Sequence, residues 1–310
     1  MSQSPPVALA DSHESAPLAH HLRETEALHS EHVTHWQGYQ PRGMYFVKTT
    51  LRENPAADQG RPVLLTPGGF DPLRGAYSDA LIHGMLATPG IGSVWEAHYR
   101  YQGQCGYGYP PLLIDDIAHI CAHSHTPPLL VGMSGGSLLL TGGLLLAAQH
   151  HAKPSVQAAL ILGMYLPGFE NLFVRLLLPY YRRPGMQEKI VRHCGHPYLL
   201  ETDVATRVWW DTHPEFRRLV EQPQTKSWDR FPVPVELLFF RIDTLSRRGI
   251  KRMRQLFDCN LHSKIIPGHH RSLRKGVPEA DAAIIDFCRR HASASGQSIL
   301  QSPNEGLMKT

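Results

Sequence analysis

Cysteine is scarce in this chain. Only 5 of 310 residues are Cys (Cys105, Cys121, Cys194, Cys259 and Cys288), an odd number with no C-x-x-C spacing. Buried thiols in a reducing compartment are therefore expected, and a disulfide framework is not. Charge is also thin. Charged residues make up 19% of the chain and leave a net charge of +4, without a Lys/Arg block that could serve as a nucleic-acid arm. The opening stretch MSQSPPVALADSHESAPLAHHLRE lacks the basic start and apolar core of a secretory signal, which makes a cytoplasmic protein the expectation.

Histidine, by contrast, is plentiful at 20 residues. His20-His21, His123-x-His125, His150-His151 and His193-x-x-His196 each invite a metal reading, but none forms H-E-x-x-H or joins a Cys pair at finger spacing. These read as surface or loop histidines, so neither a metal nor a cofactor is expected. The hydrophobic fraction of 42% is enough for a substantial core, arranged as one large α/β domain with an insertion or as two small domains.

One stretch carries a site-specific signal: PLLVGMSGGSLLLTGGLLLAAQ, Pro128 to Gln149. Leu129 to Val131 suits a strand buried on both faces. Gly132-Met133-Ser134-Gly135-Gly136 is a G-x-S-x-G, and Ser137 to Gln149 reads as a buried helix. A Gly-flanked serine between strand and helix is the setting of a nucleophile elbow. The serine takes a strained backbone angle on a sharp turn, and side chains at the flanking positions would collide with the neighbouring strand and helix. Two blander readings compete, an inert Gly-rich turn and a membrane span. The span is opposed by the Gly-Met-Ser-Gly-Gly-Ser interruption and by flanks that are His-rich without a clear Lys/Arg bias.

Along the chain, 1–34 is expected to be a flexible N-terminal segment, ordered structure beginning at His35. His35 to Tyr39 and Met44 to Leu51 read as a strand pair turning at Pro41-Arg42-Gly43. Further strands are expected at Pro62–Leu65, Ser93–Tyr101, Val156–Leu162, Val233–Phe240 and Asn260–Ile266. Helices are expected at Tyr77–Leu86, Leu113–His123 (capped near Asp115-Asp116), Ser246–Phe257 and Pro278–His291, the last burying Ala282, Ile285 and Phe287. The alternation predicts a doubly wound, mostly parallel sheet of about eight strands. The core then spans 35–168 and 231–292, with a helical cap insertion at 169–230 and a flexible tail at 293–310. The cap's Arg175, Arg182, Arg183, Arg207, Arg217 and Arg218 read better as a solvated face than as a binder of substrate carboxylate or phosphate.

Three loops, each after a predicted strand, present Ser134, Asp243 and His269 or His270, in the order nucleophile, acid, base. With the Gly68-Gly69 loop after the third strand, the elbow and Gly268-His269, the chain from about Trp36 to His291 resembles the α/β-hydrolase superfamily. That resemblance implies a triad of Ser134, Asp243 and His269, His270 being the alternative base. It also implies oxyanion donors at Gly135 and at Phe70 or Gly69. Thr66-Pro67-Gly68-Gly69 stands where the family often has His-Gly, which leaves open which of the two amides donates. The implied activity is hydrolysis of an ester or thioester through an acyl-serine, and the apolar Leu172, Phe173, Leu176, Leu177, Tyr180 and Trp209-Trp210 suggest an apolar acyl part. Acyl transfer, a non-hydrolytic lyase, isomerase or ligand-binding role, and membrane attachment through Phe169 to Tyr181 are the competing readings. The expected partner is a small-molecule acyl substrate, with no nucleic acid and no integral membrane span; a homodimer is left open.

Overall fold

Strands that are apolar at every residue must be covered on both faces, and two of them form the middle of the molecule. The computed structural model describes residues 29–51, 60–67, 78–99, 110–150, 153–163, 231–242, 249–257, 261–269 and 278–292, with the single residues 183, 185 and 218. In it β5 (Leu129–Met133) and β6 (Ala158–Leu162) are buried at every position. They lie in an eight-stranded sheet with β1 (His29–Thr34), β2 (Met44–Leu51), β3 (Arg61–Thr66), β4 (Ile91–Tyr99), β7 (Val235–Ile242) and β8 (Leu261–His269), in the order β1-β2-β4-β3-β5-β6-β7-β8. From β4 to β8 the pairing is parallel, whereas β1/β2 and β2/β4 are antiparallel. All six parallel strands therefore end at one edge of the sheet.

The described helices are α1 (Asp79–Leu86), α2 (Pro110–His123), α3 (Gly135–His150), α4 (Gly249–Leu256) and α5 (Pro278–Ala292). Because side chains alternate along a strand, each strand feeds two cores. Leu64, Leu130, Ile161, Leu237 and Phe239 pack with α2, α3 and α4. Val63, Leu65, Val131, Leu160, Leu238 and Phe240 pack with α1 and α5 on the opposite face. α3 is buried from Gly135 through Ala148 and has 16 residues, short of the roughly 20 that a bilayer requires. Among the described residues no helix is long and apolar enough to cross a membrane.

Several expectations need correction. The segment 1–34 is not flexible throughout: β1 begins at His29 and pairs with β2 from His29↔Leu51 to Thr34↔Phe46. Being an edge strand, β1 needs only one ladder and no apolar alternation, so its polar sequence HSEHVT gives no strand signal. The expected first strand at His35–Tyr39 is instead part of the connection, with a tight turn where Tyr39 N–H donates to Trp36 C=O at 2.7 Å and Gln37 has φ 44°.

Asp116 does not cap its helix, which starts earlier, at Pro110, where proline suits the first turn. Its carboxylate is fully buried and accepts from Tyr39 Oη (2.7 Å), Arg42 N–H (3.1 Å) and Gly43 N–H (2.7 Å), anchoring the 35–43 connection. Burial, with Asp116 accepting the phenol's hydrogen bond, pushes the Tyr39 phenol well above its ordinary pKa. On α5 the buried residues are Ala280, Ala283, Ile284, Phe287, Cys288 and Ala292; Phe287 is covered as expected and Ile285 packs partly buried against the core, but Ala282 is exposed. Cys121 and Cys288 are buried free thiols, burial pushing the Cys288 thiol up to about 12.

Candidate active site

The elbow occupies the turn from β5 into α3. Ser134 has φ 52°, a left-handed conformation that costs an L-residue roughly 1–2 kcal/mol and persists only where surroundings enforce it. Those surroundings are close. A Cβ at Gly132 would come within 2.8 Å of Ser137 Cα, and one at Gly136 would overlap the carbonyl oxygens of Thr66 and Pro67 at the end of β3. Both glycines of the G-x-S-x-G are thus required by backbone approaching backbone.

Hydrogen bonds lock the turn from two sides. On the β6 side, Ser134 N–H donates to Leu162 C=O at 2.9 Å, and the buried Ser137 hydroxyl donates to the same oxygen at 2.9 Å. Towards β3, Thr66 Oγ1 donates to Gly136 C=O at 3.1 Å, with Val131 C=O at 3.4 Å. Leu138 N–H to Ser134 C=O, at 3.4 Å, opens the helix. Gly135 is the first residue of α3, where backbone N–H groups have no acceptor within the helix. Nor does this first turn carry an acidic residue, so no carboxylate of its own offsets the positive end of the helix dipole beside Ser134.

Of the predicted acid and base, only His269 is described, at the same edge of the sheet. β7 ends at Ile242, whose register partner is His269, the last residue of β8. His269 thus belongs to the strand rather than to a turn after it. Pro267 is tolerated there because β8 is an edge strand, and Gly268 takes φ 107° beside the register shift between Phe240 and Ile242. Asp243, His270, Gly69 and Phe70 lie outside the described residues, as does almost all of 169–230. At about 4.8 Å per strand, the ends of β7 and β8 stand roughly 10 and 14 Å from that of β5. Residues beyond those ends, at about 3.3 Å each when extended, span such a distance, whereas His269, within β8, has only its side chain to do so. Thr66, Ser137 and Leu162 are the elbow residues that sequence reasoning did not single out. A hydroxyl residue directly after the second glycine was the available hint for Ser137.

No protein-family model matches the sequence, and no curated protein matches it either. Solved structures do. A thermostable esterase from Pseudomonas putida ECU1011 is 14% identical with a TM-score of 0.55, over 86% of this chain and 84% of that one. Carboxyl esterase 2 from the mycorrhizal fungus Tuber melanosporum is 14% identical with a TM-score of 0.56, over 88% of each chain. A monoacylglycerol lipase from Paleococcus ferrophilus is 15% identical with a TM-score of 0.51, over 81% and 100%. The chain has the α/β-hydrolase fold. An α/β-hydrolase sheet gathers its loops at the C-terminal ends of the parallel strands, and in this chain that edge holds Ser134, Ile242 and His269. It also holds the end of β3, whose Thr66 and Pro67 carbonyls touch the elbow and which leads into 68–77.

Proposed function

We propose that the protein is a serine hydrolase that cleaves a carboxylic ester or thioester with an apolar acyl part. The single observation carrying this reading is Ser134, a non-glycine residue at φ 52° on a turn that leaves no room for a Cβ at Gly132 or Gly136. Strain of this kind is kept where it serves a site. A hydroxyl held at a helix N-terminus, in an α/β-hydrolase fold, is suited to attack on an acyl carbon.

Serine is a weak nucleophile at neutral pH and needs a base. In the proposed mechanism His269, or His270 as the alternative base, takes the Ser134 proton as Oγ bonds to the acyl carbon. Asp243 fixes the imidazole tautomer and stabilises the imidazolium. Negative charge on the former carbonyl oxygen is held by the amides of Gly135 and of Phe70 or Gly69, each contributing on the order of 3 kcal/mol to the barrier reduction. The leaving alcohol or thiol takes the proton from that histidine, and water, activated by the same base, hydrolyses the acyl-serine. The chain between β6 and β7, which carries the expected cap, supplies the apolar wall for the acyl part.

A fluorophosphonate probe tests the reading, followed by intact mass after incubation with short acyl esters. A single covalent adduct on the wild type, lost in Ser134→Ala, is expected; a folded wild type that takes no label overturns it. His269→Ala is expected to abolish ester turnover while His270→Ala is tolerated, and the reverse result assigns the base to His270.

A further inference from the structure

We propose that Ser137 is a positioning residue for the nucleophile, an inference that rests on the reading of Ser134 above. Ser137 is fully buried, three residues into the elbow, where an exposed serine would need no partner and a buried one must find two. Both are found on one residue. Its hydroxyl donates to Leu162 C=O at 2.9 Å and accepts from Leu162 N–H at 3.2 Å, using its one proton and one of its lone pairs. The carbonyl it holds is also the acceptor for Ser134 N–H at 2.9 Å. A single peptide group at the end of β6 therefore fixes both the strained residue and the first turn of the helix behind it.

The opposite side of Ser137 is equally constrained, because its Cα lies against Gly132 so closely that a Cβ there would fall within 2.8 Å. Ser137 is thus wedged between β5 and β6. Any change in its position is transmitted to Gly135, whose amide is the proposed oxyanion donor, and to Ser134. Thr66 braces the β3 side through Gly136, and the Leu162 carbonyl that accepts from the Ser134 amide is held by Ser137. Removing the Ser137 hydroxyl takes an acceptor from Leu162 N–H, leaves Leu162 C=O with the Ser134 N–H alone of the two donors described, and lets the first turn of α3 drift. Misplacement on the scale of 1 Å costs on the order of 100-fold in rate, while binding of an apolar acyl chain by distant walls is unaffected.

The test compares wild type, Ser137→Ala and Ser137→Thr in the full chain. It uses 4-nitrophenyl butyrate turnover, the rate of fluorophosphonate labelling, and hydrogen exchange at the Ser134 and Leu162 amides. In Ser137→Ala, kcat and labelling rate are expected to fall by roughly 10- to 100-fold with KM within about twofold, and both amides to exchange at least about tenfold faster. Ser137→Thr, which keeps the hydroxyl, is expected to recover most of the loss. If Ser137→Ala does not fold, Ser137→Cys takes its place and is expected to give an intermediate loss. Unchanged exchange and unchanged kcat in a folded Ala or Cys variant overturn the role of Ser137 alone. Faster exchange together with a wild type that is never labelled overturns the hydrolase reading instead.

Discussion

The elbow and the outer fastenings of the same molecule are built by opposite means. Around Ser134 the described ties are neutral: backbone amides, two hydroxyls, and glycines that let β3, β5 and α3 approach to contact. Away from it, whole elements are tethered by carboxylates accepting several hydrogen bonds at once. Asp116 holds the 35–43 connection to α2. Glu236, near the start of β7, holds the end of α5 through Arg290 (2.6 and 3.2 Å) and His291 (2.9 Å). Backbone packed against backbone leaves the elbow no room to shift, whereas a carboxylate with several donors fastens one element to another. Damage at the elbow should therefore appear mainly as lost chemistry, and damage to the fastenings as lost stability.

The largest expected effect that sharpens this contrast is at Gly136. Gly136→Ala drives a methyl into the Thr66 and Pro67 carbonyls. An activity loss on the order of 100-fold is expected, with overpacking of about 1–3 kcal/mol read from denaturant unfolding. Activity near wild type would break the contrast at its strongest point.

Asp116→Ala comes next. It strands the buried Gly43 N–H and frees the Tyr39 hydroxyl, so a loss of about 3 kcal/mol is expected, with ester turnover per folded molecule within about twofold. Burial, together with the Asp116 hydrogen bond, holds the Tyr39 phenol up, so spectrophotometric titration of the variant should find it ionising at lower pH. A turnover defect exceeding the unfolded fraction would show that the fastening reaches the site.

The smallest effect is at Glu236. Burial alone would raise its carboxyl, but hydrogen bonds from His291 and Arg290 outweigh burial and hold it below its ordinary 4.5. The sign follows from the depressed folded value: the tie contributes fully above about 4.5 and is lost as pH falls through the lower value of the folded state. Glu236→Gln is expected to cost no more than about 1 kcal/mol at neutral pH. It should also flatten the acid limb of stability against pH, measured by urea unfolding from neutrality downward. An unchanged acid limb would assign that limb to other carboxylates.

What could be read from the chain beforehand follows the same division. The elbow was legible because its G-x-S-x-G sits between strand and helix within nine residues of sequence, Leu129 to Ser137, although Thr66, Pro67 and Leu162, which enforce the turn, come from elsewhere in the chain. The parallel core was legible because β5 and β6 are apolar throughout, a pattern that water-facing strands do not show. β1 was not, since a polar edge strand is specified by its partner β2 rather than by its own residues. Nor was the role of Asp116, whose three donors come from residues more than seventy positions earlier. The exposure of Ala282 on α5 had a third cause. Ala282 and Ala283 are chemically alike, and the close packing of Ile285 on Gly84 of α1, where a Cβ would collide, selects which of them is covered.

The burial of α3 on every side has a consequence for how the protein is made. Its leucines, without a charge among them, leave the ribosome after β3, β4 and α2 but before β6 and β7, so the nascent chain carries an adhesive segment whose sheet is half built. Refolding from denaturant meets the same interval, in which exposed apolar surface favours association between copies. Yield in such an experiment should fall as protein concentration rises, and recover when copies are kept apart until the later strands close over the helix.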